Sequence, residues 1–202
     1  MRQERARYSR WAIIEAASEL FERKGADATG LTEICEVAGL SRGALYFHFE
    51  TKEELKAAVR EHAAVSIDGY ESALLHDPRP VPVAIRDFTV AMLSLLETDV
   101  VIRAGVYLGS ESDGSGGAHA IQRRWTRLIQ DKIASVRDAE SVDPGAEAGQ
   151  GLAWTFSSLI MGLFGLGRFD RFWWRETTVT ELWATLWPEV RLFSVRHPAA
   201  TG

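Results

Sequence analysis

The sequence predicts an all-α chain, with a small three-helix head on a larger helical body, and three observations predict it. Apolar residues recur at i, i+4, i+7 and i+8, as in Ile13, Ala17, Leu20 and Phe21, and again at one-turn spacing in Ile85, Phe88, Met92, Leu95 and Leu96. That is the period of a helix buried along one face. No convincing stretch alternates apolar and polar residues as a half-buried strand would. Breaks at Gly25, Gly39, 77–82, 110–117, 143–145 and 171–177 then cut the chain into nine helical segments.

In order, the segments fall at 5–24, 32–38, 42–48, 52–75, 81–97, 100–109, 118–139, 145–167 and 177–195. The first follows a basic start carrying Arg2, Arg5, Arg7 and Arg10 and stops at Gly25. Thr32 is placed to cap the second, Gly39 supplies the permissive backbone of the next turn, Leu40 fills its corner, and Ser41 caps the third. Thr51 and Glu54 form a T-x-x-E capping box, which starts the long fourth helix directly after the head and leaves no flexible linker. Pro188 is expected to kink or end the last helix early. The polar glycine-rich SESDGSGG at 110–117 is the one low-complexity segment.

Composition narrows the class. The chain has 202 residues, a net charge of −5 and one cysteine, Cys35, so it has no internal disulfide and no zinc-ligand cluster. No apolar run follows the basic N-terminus as in a secretory signal, and the apolar part of the longest uncharged run, 151–167, is glycine-interrupted and shorter than the ~20 residues of a bilayer span. A cytoplasmic protein with no membrane contact is expected. Up to His62 there are 10 Lys and Arg against 11 Asp and Glu, so any nucleic acid must be met by a few placed cations, not by bulk charge.

The segment LTEICEVAGLSRGALYFHF at 31–49 reads as a helix-turn-helix. A second helix of this size fits the major groove, with its N-terminal turns at the base edges. Leu45 and Phe49, four apart, face the core. Arg42 suits a bidentate pair to guanine, Gly43 allows close backbone approach, and Ala44 and Phe47 offer apolar contact to thymine methyls. Tyr46, His48 and Lys52 carry donors for phosphate oxygens, and Thr32 completes the DNA-contacting set. An ordinary helical hairpin with its aromatics in an interface is the competing reading of this pattern.

Thr32, Ile34, Ala38-Gly39, Ser41, Gly43, Leu45-Tyr46, His48-Phe49, Lys52-Glu53 and Leu55 together resemble the N-terminal signature of the TetR family, over about the first sixty residues. The resemblance implies a homodimer whose two recognition helices enter successive major grooves of a palindromic operator, and a body that binds an effector and releases DNA. It divides the chain into a DNA-binding domain at 1–50 and a ligand-binding and dimerisation domain at 51–202. Cys35 departs from the alanine usual in the family, and its place on the first helix of the motif suits packing. GALYFHF followed by TKEEL, VIRAGVYL at 101–108, and Trp125 are further similar to the γ-butyrolactone receptor branch. Members of that branch control secondary metabolism in filamentous actinobacteria and answer to diffusible lactones, related furans or antibiotics.

In the body, Phe88, Met92, Leu96, Trp125, Ile129, Trp154, Ser158 and Met161 are the candidate walls of an effector cavity. A buried indole needs a partner for its N–H, so tryptophan can donate to a ligand carbonyl or stack on a ring. Trp125 leads, because the resemblance places it where the lactone receptors contact ligand. Phe156, Leu159 and Leu163 on one helix, and Leu182, Trp183 and Leu186 on the next, offer more apolar surface than a monomer would expose, and form the candidate dimer seam. Gly162 and Gly165 allow close helix approach there.

An enzyme is not expected. No nucleophile elbow, P-loop, dinucleotide fingerprint or HExxH pair is present, and GSES at Gly109 and GLFGLG at Gly162 have the wrong spacing. The five histidines are scattered, so no metal and no cofactor are called. The reading is a ligand-responsive regulator, a repressor released by a small apolar effector such as a γ-butyrolactone-like signal. A pseudo-receptor or drug-efflux regulator answering to an antibiotic stays open as the alternative.

Overall fold

A computed structural model describes residues 2–111, 118–137 and 146–195, and the secondary structure of those residues is entirely helical. The helices are α1 (Arg2–Lys24), α2 (Leu31–Ala38), α3 (Arg42–His48), α4 (Lys52–His76), α5 (Val81–Thr98), α6 (Val100–Glu111), α7 (Ala118–Arg137), α8 (Ala146–Gly167) and α9 (Glu176–Val195), with a 3-10 turn at Arg171–Trp174 before the last. The expected segments match these to within three residues at their ends, and the glycine-rich 112–117 lies outside the described residues. Helix α9 continues past Pro188 to Val195 instead of stopping at it.

Local chemistry explains the boundaries. Gly39 closes α2 in the left-handed conformation at φ 65°, where its N–H and the next residue's return to the last turn. Ser41 Oγ accepts from Ala44 N–H at 3.2 Å and caps α3. The capping box at α4 is reciprocal: Thr51 Oγ1 accepts from Glu54 N–H at 3.1 Å, and the Glu54 carboxylate reaches back to Glu50 N–H at 2.8 Å. Thr32 does not cap α2. The helix already begins at Leu31 after an extended Gly30 with no side-chain cap, so Thr32 lies inside the first turn and its hydroxyl is free for another task.

The chain forms two compact units, residues up to 69 with 98–124, and residues 70–97 with those from 125 onward. In the first, Ile13, Ala17, Leu20 and Phe21 of α1 pack with Ile34 and Cys35 of α2, Leu45 of α3, Leu55 and Val59 of α4, and Val101, Ala104 and Leu108 of α6. Cys35 is thus a core residue. Helix α6 is also tied to α1 by charge, since Arg103, almost wholly buried, grips Glu22 with two hydrogen bonds of 2.7 and 3.1 Å. Gly105 faces α4, where an added Cβ would stand 2.7 Å from the Val59 carbonyl oxygen.

The second unit buries Ile85, Phe88, Met92, Leu93 and Leu96 of α5, Trp125, Leu128, Ile129 and Ile133 of α7, and Phe156, Ile160, Leu163 and Phe164 of α8. Trp174 of the 3-10 turn and Val179 and Trp183 of α9 complete this core. Lys132 is buried, and its ammonium donates to the carbonyls of Leu75 and Asp77 at the end of α4. In the turn that follows, Arg79 bridges Asp77 and Asp87 and holds the Asp77 carboxyl down at about 2.

Candidate functional site

The head is built so that one face of α3 is free. Leu45 and Phe49 are buried in the core, which turns Arg42, Gly43, Tyr46 and Phe47 to solvent, with Ala44 and His48 half-buried. Phe47 is 77% exposed and Tyr46 51%, an unusual display of aromatic surface that core packing does not account for. The two ends of α3 are pinned. At its start Arg42 donates to the hydroxyl of Thr32. At its end His48 Nε2 lies 2.6 Å from Ser9 Oγ on α1, and the Arg10 guanidinium sits 5.1 Å from the centre of the Phe49 ring. Burial first, and then the Arg10 charge, push the His48 imidazole below its ordinary 6.5, so it is neutral at physiological pH.

Lys52 is placed differently from the phosphate contact expected of it. Its ammonium donates to the carbonyl oxygens of Ala26 at 2.9 Å and of Asp27 and Thr29 at 3.3 Å, so the turn between α1 and α2 occupies it. Three carbonyls converge on one cation, an arrangement that no local sequence pattern announces.

In the second unit Phe88, Met92 and Leu96 of α5 and Trp125 and Ile129 of α7 are each buried. The Trp125 ring is met edge-on by Phe88 at 6.1 Å and by Phe164 of α8 at 5.7 Å. Its indole N–H, though buried, has no hydrogen-bond partner among the described residues, and the same holds for Trp174, Trp183 and the Ser157 hydroxyl. Unsatisfied buried donors are uncommon in folded proteins, and each costs about 1–3 kcal/mol. Sequence reasoning missed Phe164, Ser157 and Trp174 as members of this core. A signal was available in the stripe Phe156, Ile160, Leu163, Phe164, which continues the helical period into the glycine-rich GLFGLG.

The other candidate wall residues lie apart. Trp154 is 58% exposed, Ser158 is exposed and Met161 half-buried, so they belong to the outer face of α8. Conversely Phe156, Leu163 and Trp183, candidates for the dimer seam, are buried within their own unit, Phe156 against Trp183 at 5.2 Å between ring centres. Leu159, Leu182 and Leu186 are half-buried. The reason is that α8 is apolar on both sides, and its inner side is the one carrying Phe156, Leu163 and Phe164. Its outer stripe is Trp154, Ser158, Gly162, Gly165 and Leu166, with open space above both glycines, and exposed Phe169 follows in the turn after the helix.

These features define a helical protein with a helix-turn-helix head and a second unit with an aromatic core. Residues 13–59 match the bacterial regulatory proteins of the tetR family, and the head is a tetR-family N-terminal domain. Among curated proteins, the chain is 46% identical over 56 residues to the HTH-type transcriptional regulator TtgR of Pseudomonas putida, a stretch that covers 28% of this chain and only 27% of that protein. Solved structures extend the likeness to nearly the whole chain. A gamma-butyrolactone receptor (ArpA-like protein) is 26% identical with a TM-score of 0.63, covering 90% of this chain and 87% of its own. The TetR family protein CprB from Streptomyces coelicolor, in complex with its operator sequence, is 26% identical with a TM-score of 0.64, covering 92% and 99%. Among the described residues no helix is long and apolar enough to cross a membrane, and no cluster of His, Cys, Asp or Glu could hold a metal.

Proposed function

We propose that this protein is a cytoplasmic, ligand-responsive transcriptional regulator that binds a palindromic operator as a homodimer and is released from it by a small, neutral, mostly apolar effector of the γ-butyrolactone kind. The observation that carries the DNA reading is the outward face of α3, where Arg42, Tyr46 and Phe47 stand exposed beside a fully buried Leu45. Arg42 reads a base edge, Gly43 and Ala44 let the helix approach, and Tyr46 meets the phosphate backbone. For the effector, Phe88, Met92, Leu96, Trp125 and Ile129 supply an apolar wall, and the unpartnered Trp125 N–H supplies a donor for a ligand carbonyl.

The dimer seam is the outer stripe of α8, where exposed Trp154 and Leu166, with Phe169 in the turn that follows, flank small residues that let a second copy come close. Helix α4, which contributes residues to both units, carries the signal, and the effector releases DNA only by as much as its affinity differs between the two states. A gel shift on the DNA beside its own gene, at stated moderate salt, tests the whole reading with wild type and Arg42→Ala in parallel. A wild-type shift that is lost in Arg42→Ala and reversed by an acylated butyrolactone supports it. Release by an antibiotic and not by the lactone moves the protein to the alternative effector class. Failure of the wild type to bind, here and in selection from random DNA, overturns it.

A further inference from the structure

We propose that Thr32 is a positioning residue for sequence readout, holding the Arg42 guanidinium in the orientation in which it reads a base pair, and that it is not a phosphate contact in its own right. The inference rests on the DNA-binding reading above and assigns the Thr32 hydroxyl a task within it. Two observations lead there. Helix α2 starts one residue before Thr32, so the hydroxyl is not spent on capping. Instead it accepts a hydrogen bond from Arg42 Nη2 across the turn between α2 and α3.

Arg42 opens α3, where the side chain of a recognition helix first meets base edges, and both it and Thr32 are exposed. A free arginine there has four rotatable bonds and spends most of its time in orientations useless for recognition. Guanine readout needs two parallel N–H groups in the plane of the base. Committing one Nη2 proton to Thr32 restrains the guanidinium and leaves the other Nη2 proton and both Nη1 protons to donate to a base. The local charges are arranged so as not to compete. Glu33, the acid next to Thr32, is held by Lys24, with Arg23 at 4.0 Å, and among the described residues no carboxylate pairs with Arg42. The cation therefore reaches DNA un-neutralised, restrained by a neutral acceptor that costs it no charge.

The test is a double-mutant cycle read against a panel of single-base variants of the selected operator, at fixed salt, using full-length wild type, T32V, T32S, R42A and T32V/R42A. T32V keeps the side-chain shape and removes the hydroxyl; T32S keeps the hydroxyl. The expected result is that T32V loses about tenfold in discrimination at the single base pair whose preference R42A also erases. At other positions its preferences stay within about twofold, T32V/R42A is no worse than R42A alone, and T32S restores wild-type selectivity. The opposite result is equally clear. If T32V weakens all operator variants alike, lowers the salt slope by about 1, and adds its full effect on top of R42A, then Thr32 contacts phosphate and the proposal is wrong. Failure of the wild type to select any sequence sinks the DNA-binding reading itself, and is recognised before any variant is compared.

Discussion

The recognition face of the head and the aromatic core of the second unit differ in how their polar groups are satisfied. In the head, the groups that matter have partners: Ser9 with His48, Thr32 with Arg42, Ser41 with the backbone of α3, and Lys52 with three carbonyls of a neighbouring turn. In that core, three tryptophan N–H groups and a serine hydroxyl are buried without one among the described residues. A surface that must present base-reading side chains at fixed positions gains from satisfied hydrogen bonds, which hold one geometry. A core that must accept and release a small molecule gains from donors left waiting for an acceptor, at a standing cost in stability.

The largest expected effect tests the head's rigidity. Arg103→Met leaves Glu22 without its buried cation and should lower unfolding free energy by about 3 kcal/mol, in chemical denaturation followed by circular dichroism. A change below about 1 kcal/mol, the range of a surface pair, would show that α6 is not anchored to α1 through this contact. Lys52→Met comes next. It should cost about 2 kcal/mol of stability through the three freed carbonyls, yet leave the salt dependence of operator binding unchanged. A slope reduced by about 1 would restore Lys52 to the phosphate contacts.

Trp125→Phe probes the other side of the comparison. Removing an unsatisfied N–H should leave the free protein within about 1 kcal/mol of wild type while weakening effector binding about tenfold, measured by titration calorimetry. Effector binding unchanged in Trp125→Phe would remove the indole N–H from the ligand contacts. The smallest effect concerns pH. Because the folded His48 imidazole lies below its ordinary 6.5, the folded head binds fewer protons than the unfolded chain, and its stability should fall as pH drops below about 6.5. His48→Gln should flatten that fall in melting curves between pH 7.5 and 5.5, and a slope identical to wild type would assign it to other groups.

What the sequence by itself determined is the set of helices and the core of the head. Ser41, Gly39 and the Thr51–Glu54 box act on backbone groups within four residues, so their effects are written locally. Leu45 and Phe49 were legible as core from their spacing of four, and Cys35 from its place on the first helix of the motif. Tertiary structure alone decided where long side chains go and which of two apolar faces is covered. Lys52 reaches back more than twenty residues to the turn after α1, and Thr32 meets an arginine on the next helix. On α8, periodicity marks two apolar stripes without ranking them; packing against the neighbouring helices buries Phe156, Leu163 and Phe164 and leaves Trp154 outside. Such choices depend on the sum of contacts across the whole core, a quantity no window of neighbouring residues contains.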